Sequence, residues 1–301
     1  MSARRPYAKM TSQGDRARMT VDAETCVAGV TSGEQAGLPG ATEPAGEQMD
    51  AHRVRVSVVV PVYNEVNTVG EIIRRVLSSP FETEIIVVDD ASSDGTREFL
   101  RRLEHPRVRC FYQPVNRGKG AALRVGFAAA SHPYVIVQDA DLEYDPRDYP
   151  KLLQPLVDGR ADMVYGSRFL GGPHRVMFFW HYVGNKLITL LSNMVTDLNL
   201  SDMETGMKAF RRDKLQALSL SANRFTFEPE ITVKAARARW RIYEVPVSYA
   251  GRTYQEGKKI GWRDAASAIA AILRYRFFDR TAACDAGLRE RVAGRGDPDR
   301  P

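Results

Sequence analysis

Arg55-Val56-Ser57-Val58-Val59-Val60-Pro61-Val62 is a nearly continuous β-branched run, and its reading decides the fold. A strand facing water on one side would alternate apolar with polar residues. This one does not, as expected of a strand covered on both faces in a parallel sheet. Outward from it, helix and strand signals take turns. Val69, Ile72, Ile73, Val76 and Leu77 recur with helical period, and Thr68 and Glu71 have the spacing of a capping box. Residues 84–88 read as a second strand, and 94–104 as a helix with Phe99, Leu100 and Leu103 inward. A strand over 108–112, an Ala-rich helix over 119–131 and a strand over 134–138 follow. Tyr149, Leu152, Leu153, Leu156 and Val157 then mark a helix, and 162–165 a strand. Such alternation predicts an α/β domain with a mostly parallel sheet flanked by helices and ligands at the strands' carboxyl ends.

The second half is less regular. Residues 177–197 read as one or two helices rich in large apolar side chains, and 207–211 and 241–249 as strands. A helix over 264–278 places Ile269, Ile272, Leu273 and Phe277 on one side, either against the sheet or against a membrane. Residues 1–52 are rich in Gly, Ala, Glu, Ser and Thr and read as a disordered leader, as does the tail over 285–301. The expected organisation is therefore a single domain over 53–262 followed by an amphipathic helix over 263–284.

Composition narrows the function classes. The formal charge of +6 is uneven: residues 1–52 hold five Lys/Arg against seven Asp/Glu, leaving 38 against 30 in the rest. A mildly basic body suits anionic substrates or a membrane surface. Without a Lys/Arg-rich run, nucleic acid is not an expected partner. Cys26, Cys110 and Cys284 are far apart and lack metal-ligand spacing, which favours a reducing compartment. No stretch reaches about 18 uninterrupted apolar residues, the length a spanning helix needs, and no signal peptide is visible. The expectation is a cytoplasmic protein, peripheral at the inner face of the cell membrane.

The chemistry-bearing residues stand where strands run out. Asp139-Ala140-Asp141 lies directly behind the apolar run 134–137. Two carboxylates at that place suit a divalent ion beside a diphosphate, since magnesium takes one or two protein carboxylates plus phosphate oxygens. Alone, the same tripeptide is also an ordinary turn. Pro61-Val62-Tyr63-Asn64-Glu65 offers an aromatic ring for a nucleobase, with stacking worth about 1–3 kcal/mol per base. Glu65 suits a base or ribose, or simply starts a helix. After the second strand, Asp90 suits the polar edge of a base, Asp89 has a structural or secondary part, and Ser93 or Asp94 caps the next helix. Asn116-Arg117-Gly118-Lys119-Gly120 opens a helix whose amides, with Lys119, favour an anion. It lacks the spacing of a nucleotide-triphosphate loop.

Together, in this order, these motifs resemble the family 2 glycosyltransferases with the GT-A fold, a Rossmann-like sheet, and among them the dolichyl- and polyprenyl-phosphate sugar synthases. The resemblance covers roughly residues 55–262 and includes Asp139-Ala-Asp-Leu-Glu143 and Gly166-Ser-Arg-Phe169. It implies that Pro61, Tyr63, Glu65 and Asp90 contact the nucleoside, with Gly118 and Lys119 near the donor. Asp139 would lie at the sugar or ribose, while Asp141 and Glu143 would hold Mg2+ or Mn2+. Many relatives have Gln at position 143; Glu is at least as good a ligand for a hard cation. Arg168 would face the phosphate of the lipid acceptor, where a guanidinium forks well, and Lys186 would be a second phosphate contact. Asp202 would line the sugar and acceptor cleft. Arg252 and Lys259, in a late loop where Lys258 replaces the usual Ser, would close over the diphosphate.

The implied reaction is inverting transfer of mannose or glucose from GDP-mannose or UDP-glucose to a polyprenyl or dolichyl phosphate. That acceptor is largely ionised near neutral pH, its second pKa being about 6, so no general base is required. A hydroxyl acceptor would need one, with Asp202 and Glu230 as the first candidates. A non-catalytic sugar-nucleotide binder in a membrane complex is the reading from another class. Phe178, Phe179, Trp180, Tyr182, Leu187 and Leu190, with Arg175 and Lys186, suit a membrane surface or a membrane-spanning partner.

Overall fold

Alternate residues of β1 (Arg55–Val62) feed two separate cores, which is why the run shows no polar alternation. Val56, Val58, Val60 and Val62 enter one cluster with helices α1 (Val69–Leu77) and α4 (Tyr149–Val157). Val59 enters the other with α3 (Lys119–Ala129), α7 (Phe227–Arg237) and α8 (Trp262–Phe277). This computed structural model describes residues 49–171, 175–176, 178–252 and 262–279, all within one compact unit beginning at Gly46. The leader up to residue 48, the 280–301 tail, Met177 and Lys259 lie outside the described residues.

The remaining strands are β2 (Glu82–Asp89), β3 (Val108–Tyr112), β4 (Tyr134–Val137), β5 (Met163–Ser167), β6 (Lys208–Arg211) and β7 (Ile242–Pro246). They form one seven-stranded sheet in the order β3-β2-β1-β4-β6-β5-β7. All pairings are parallel except those of β6, which is antiparallel to both neighbours. That single reversal matters for the site. The parallel strands deliver their carboxyl ends to one edge, and the segment leading into β6 reaches the same edge from the opposite direction.

Helix–sheet distances are set by small residues. In α3, a Cβ added to Gly126 would run into Val59 Cγ1 on β1. Gly126→Ala is therefore expected to destabilise the protein by about 1–3 kcal/mol through overpacking. A drop in melting temperature checks this, and an unchanged melt would mean that α3 shifts freely.

Several local expectations change. The capping box does not form: the Thr68 hydroxyl donates to Glu65 Oε2 at 2.7 Å, and Glu71 pairs with Arg74 and Arg75. Helix α2 is shorter than expected, Thr96–Arg102, with Asp94 Oδ1 accepting from the Thr96 amide at 3.0 Å. Phe99 is 38% exposed rather than inward, its ring lying over Gly70. Residues 177–197 yield one helix, α5 (Phe179–Thr196). In α8 the buried side is Ala268, Ala271, Ile272 and Tyr275, whereas Leu273 and Phe277 face out. Helices α6 (Arg212–Gln216) and α7 were not anticipated. Helix α7 is buried nearly all round, including Glu228, Glu230 and Lys234, so it presents no amphipathic period to read.

Candidate active site

The turns after β1, β2, β4, β5 and β7, the start of α3 and the segment before β6 converge at the carboxyl edge. Three of the turns there use left-handed backbone at residues other than glycine: Asn64 after β1, Ala91 after β2 and Leu142 after β4. For an L-residue this conformation costs roughly 1–2 kcal/mol, and it is retained where the surroundings require it. At Leu142 it turns the chain between Asp141 and Glu143.

Asp139, Asp141 and Glu143 have different partners. Asp139 receives Lys119 Nζ at 2.8 Å, and Lys119 also reaches Glu228 Oε1 at 3.4 Å. Burial opposes the charge on Lys119, but Asp139 and Glu228 more than offset it and hold the ammonium well above the usual lysine range. Glu143 accepts the Tyr249 hydroxyl at Oε2 and the Arg252 amide at Oε1, both at 2.7 Å. Asp141 accepts the Glu143 amide at 3.1 Å. Its carboxyl is pushed up to about 7 by burial first and then by the charges of Asp139 and Glu143. A partly buried carboxylate crowded by like charge favours a cation, so the donor set fits a hard divalent ion. Asp141 and Glu143 would hold it, with Glu143 oriented by outer hydrogen bonds as metal-ligating carboxylates commonly are. Among the described residues no group of three or more His, Cys, Asp or Glu stands at metal-holding geometry. Phosphate oxygens and water would supply the remaining coordination.

Around this cluster, Arg252 acts as a clasp. Its Nη1 and Nη2 meet Glu65 Oε1 and Oε2 at 2.9 and 2.7 Å, and its Nε and Nη2 meet the Asp141 carbonyl. The loop after β7 is thereby fastened to the turn after β1. Tyr63 stands beside it, 47% exposed, and Pro61 lies within β1.

Asp90 is buried and accepts from the Arg117 amide at 2.8 Å, the Gly118 amide at 2.6 Å and Gln113 Nε2 at 3.0 Å. The amides expected to cradle an external anion thus hold the carboxylate of Asp90. Gly118 has φ +93, and a Cβ there would meet the Asn223 carbonyl oxygen at 2.6 Å. Close packing against Asn223 and the positive φ both require a glycine here. Asp89 pairs with Arg97 at 2.6 Å, a structural part.

Across the cleft, Arg168 follows β5 and is clamped by Asp202. Nε and Nη2 reach the two carboxylate oxygens at 2.6 and 2.7 Å, and the Arg168 amide adds a third bond. Burial works against the Asp202 charge, yet Arg168 overcomes it and holds the carboxyl below its usual range. Two guanidinium nitrogens are taken up by Asp202, leaving Nη1 outside that pair. Lys186 Nζ donates to the Ser201 carbonyl at 2.9 Å and lies 4.4 Å from the Phe169 ring centroid.

Sequence reasoning missed Glu228, Lys208 and Tyr249. Lys208 is fully buried and donates to the Thr205 carbonyl; burial first, and then the Lys119 charge, lower its pKa. The available signal was Glu228 between Phe227 and Pro229, an acid inside an apolar context.

Residues 57–219 match the family described as glycosyl transferase family 2. An undecaprenyl-phosphate mannosyltransferase of Micrococcus luteus is 32% identical over 220 residues, covering 69% of this chain and 88% of that protein. A polyprenol monophosphomannose synthase of Mycolicibacterium smegmatis is 30% identical over 237 residues, covering 74% and 89%. Glucosyl-3-phosphoglycerate synthase from Mycobacterium tuberculosis, solved with Mn2+, UDP and glucosyl-3-phosphoglycerate, superposes with a TM-score of 0.58 over 76% of this chain and 82% of that one. At 22% identity that likeness shows the shared fold. With more than half of its length matched to the family, and a relative above 30% identity across two thirds of it, the chain belongs to glycosyl transferase family 2.

Proposed function

We propose that this chain transfers a hexose, with inversion, from a nucleoside-diphosphate sugar to the phosphate of a polyprenyl phosphate, using a divalent cation at Asp141 and Glu143. Mannose is our reading of the hexose, following the names of the two relatives. The observation that carries the reading is the state of the two candidate bases. Asp202 is clamped by Arg168, and Glu230 accepts from Ser221, the Ala222 amide and Lys234. With both taken up, an acceptor that arrives already ionised fits the cleft better than a hydroxyl needing deprotonation.

In this reading Tyr63 stacks on the base and Arg252, through Glu65, holds the late loop near the diphosphate. Lys119 fixes Asp139 toward the sugar. Arg168 meets the acceptor phosphate with Nη1 while Asp202 keeps its plane in place, and Lys186 stands alongside. Once bound, the cation supplies Lewis-acid relief of the charge growing on the leaving diphosphate. Mg2+ and Mn2+ both suit the oxygen donors. Incubating the protein with GDP-mannose, UDP-glucose and their relatives, with and without chelator, tests the donor half. Nucleotide release from one donor, lost on chelation, is expected. Release indifferent to chelator would contradict the metal assignment.

The acceptor's tail must stay in lipid, and among the described residues no helix is long and apolar enough to cross a membrane. Helix α5 instead carries an outward stripe of Phe179, Trp180, Val183, Leu187, Leu190 and Met194, with Trp180 77% exposed. Such a face suits the plane of a bilayer surface, and we place the protein there, at the inner face of the cell membrane. Flotation with anionic liposomes should carry the wild type upward and leave a Phe178/Phe179/Trp180→Ser variant behind. Equal flotation of both would remove α5 from the contact.

A further inference from the structure

Tyr249 lies just past β7, 4% exposed, and touches both halves of the cleft. Its hydroxyl donates to Glu143 Oε2 at 2.7 Å, and its ring centroid is 5.2 Å from the Arg168 guanidinium carbon. Backbone and ring contacts also fix the side chain. Tyr249 forms a backbone bridge with Tyr144, its carbonyl accepts from the Arg175 amide at 2.8 Å, and the next residue's amide donates to the Glu143 carbonyl at 2.9 Å. The Tyr144 ring packs against it at 5.2 Å between centroids. Backbone pairing and stacking thus place the phenol between the two charged groups. A hydrogen bond from outside the ligand shell orients a carboxylate for a metal. A ring face holds a guanidinium without consuming its N–H donors.

We propose that Tyr249 is a positioning residue for both substrates' anionic groups. Its hydroxyl aims Glu143 at the divalent cation beside the donor diphosphate, and its ring holds Arg168 in place for the acceptor phosphate. This rests on the reading proposed above for Glu143 and Arg168. It explains why the turn after β7 is fastened so firmly to the turn after β4.

The two roles separate by substitution in the full chain. Tyr249→Phe keeps the ring and loses the hydroxyl; Tyr249→Leu loses both, and Tyr249→Met serves in its place if the leucine variant melts before assay temperature. Mn2+ binding is read by calorimetry in the presence of GDP or UDP, and KM for polyprenyl phosphate by initial rates. Tyr249→Phe is expected to weaken Mn2+ binding about tenfold, the low end for loss of an outer-shell partner, with acceptor KM within twofold of wild type. The aliphatic variant should weaken Mn2+ binding as much and also raise acceptor KM several-fold. Wild-type Mn2+ affinity in Tyr249→Phe overturns the hydroxyl role, and an unchanged acceptor KM in the aliphatic variant overturns the ring role. A wild-type protein that neither binds nor needs a divalent cation would instead bring down the metal assignment itself.

Discussion

Asp141→Asn is expected to abolish metal-dependent sugar transfer while leaving the fold intact. The carboxylate lies partly buried beside Asp139 and Glu143, an arrangement unfavourable without a cation and favourable with one. Asparagine keeps the shape and removes the anionic ligand. Loss of one preorganised electrostatic contact of this kind costs about 10²–10³ in turnover, and loss of the cation itself costs more. The metal-free variant should melt no lower than the metal-free wild type, since like-charge crowding is relieved. Mn2+ should raise the melting temperature of the wild type only. Activity within a few-fold of wild type would remove Asp141 from the metal site.

Arg168→Ala should damage stability and acceptor use together. Asp202 is fully buried, and removing its guanidinium leaves an uncompensated interior charge, a loss of about 3–5 kcal/mol. The pH dependence has a definite sign. Because the Asp202 carboxyl sits below its usual range, the pair contributes fully above the ordinary aspartate value of about 4. Its contribution fades as pH falls through the lower folded value. The gap in melting temperature between wild type and variant should therefore be widest near neutrality and narrow on acidification. Acceptor efficiency should fall about tenfold or more, the worth of a charge-assisted contact of about 1.5–3 kcal/mol, with nucleotide affinity little changed. Calorimetry showing equal damage to nucleotide binding would place Arg168 at the donor.

Much of the fold was legible because it rests on short-range pattern. The β-branched run of β1 announced a strand buried on both faces, and the acidic residues marked the strand ends that the parallel sheet gathers at one edge. What escaped depends on partners distant in sequence. Nothing local reverses β6; its direction follows from pairing with both β4 and β5. Helix α7 hid because its charges are interior: Glu228 is answered by the distant Lys119, and Glu230 by Ser221 and Ala222 just before the helix and by Lys234 within it.

The site divides the same way. Residue types at strand ends suggested which side chains carry charge, but not which charges meet. That Asp90 holds the Arg117–Gly118 turn, that Arg252 clasps Glu65, and that Asp202 locks Arg168 are all contacts between segments brought together only by the sheet. At Gly118 the absence of a side chain serves the approach of residue 223, a packing demand that looks in sequence like a ligand-binding one.

In the proposed reaction sugar goes onto an acceptor phosphate without a base. This is tested most directly by offering purified protein, Mn2+ and its preferred sugar nucleotide either a polyprenyl phosphate or the matching polyprenol. Transfer to the phosphate alone is expected, giving a product with inverted anomeric configuration and a rate that is flat above about pH 7, where the acceptor is ionised. Comparable transfer to the free alcohol, or a retained anomeric configuration, would contradict it.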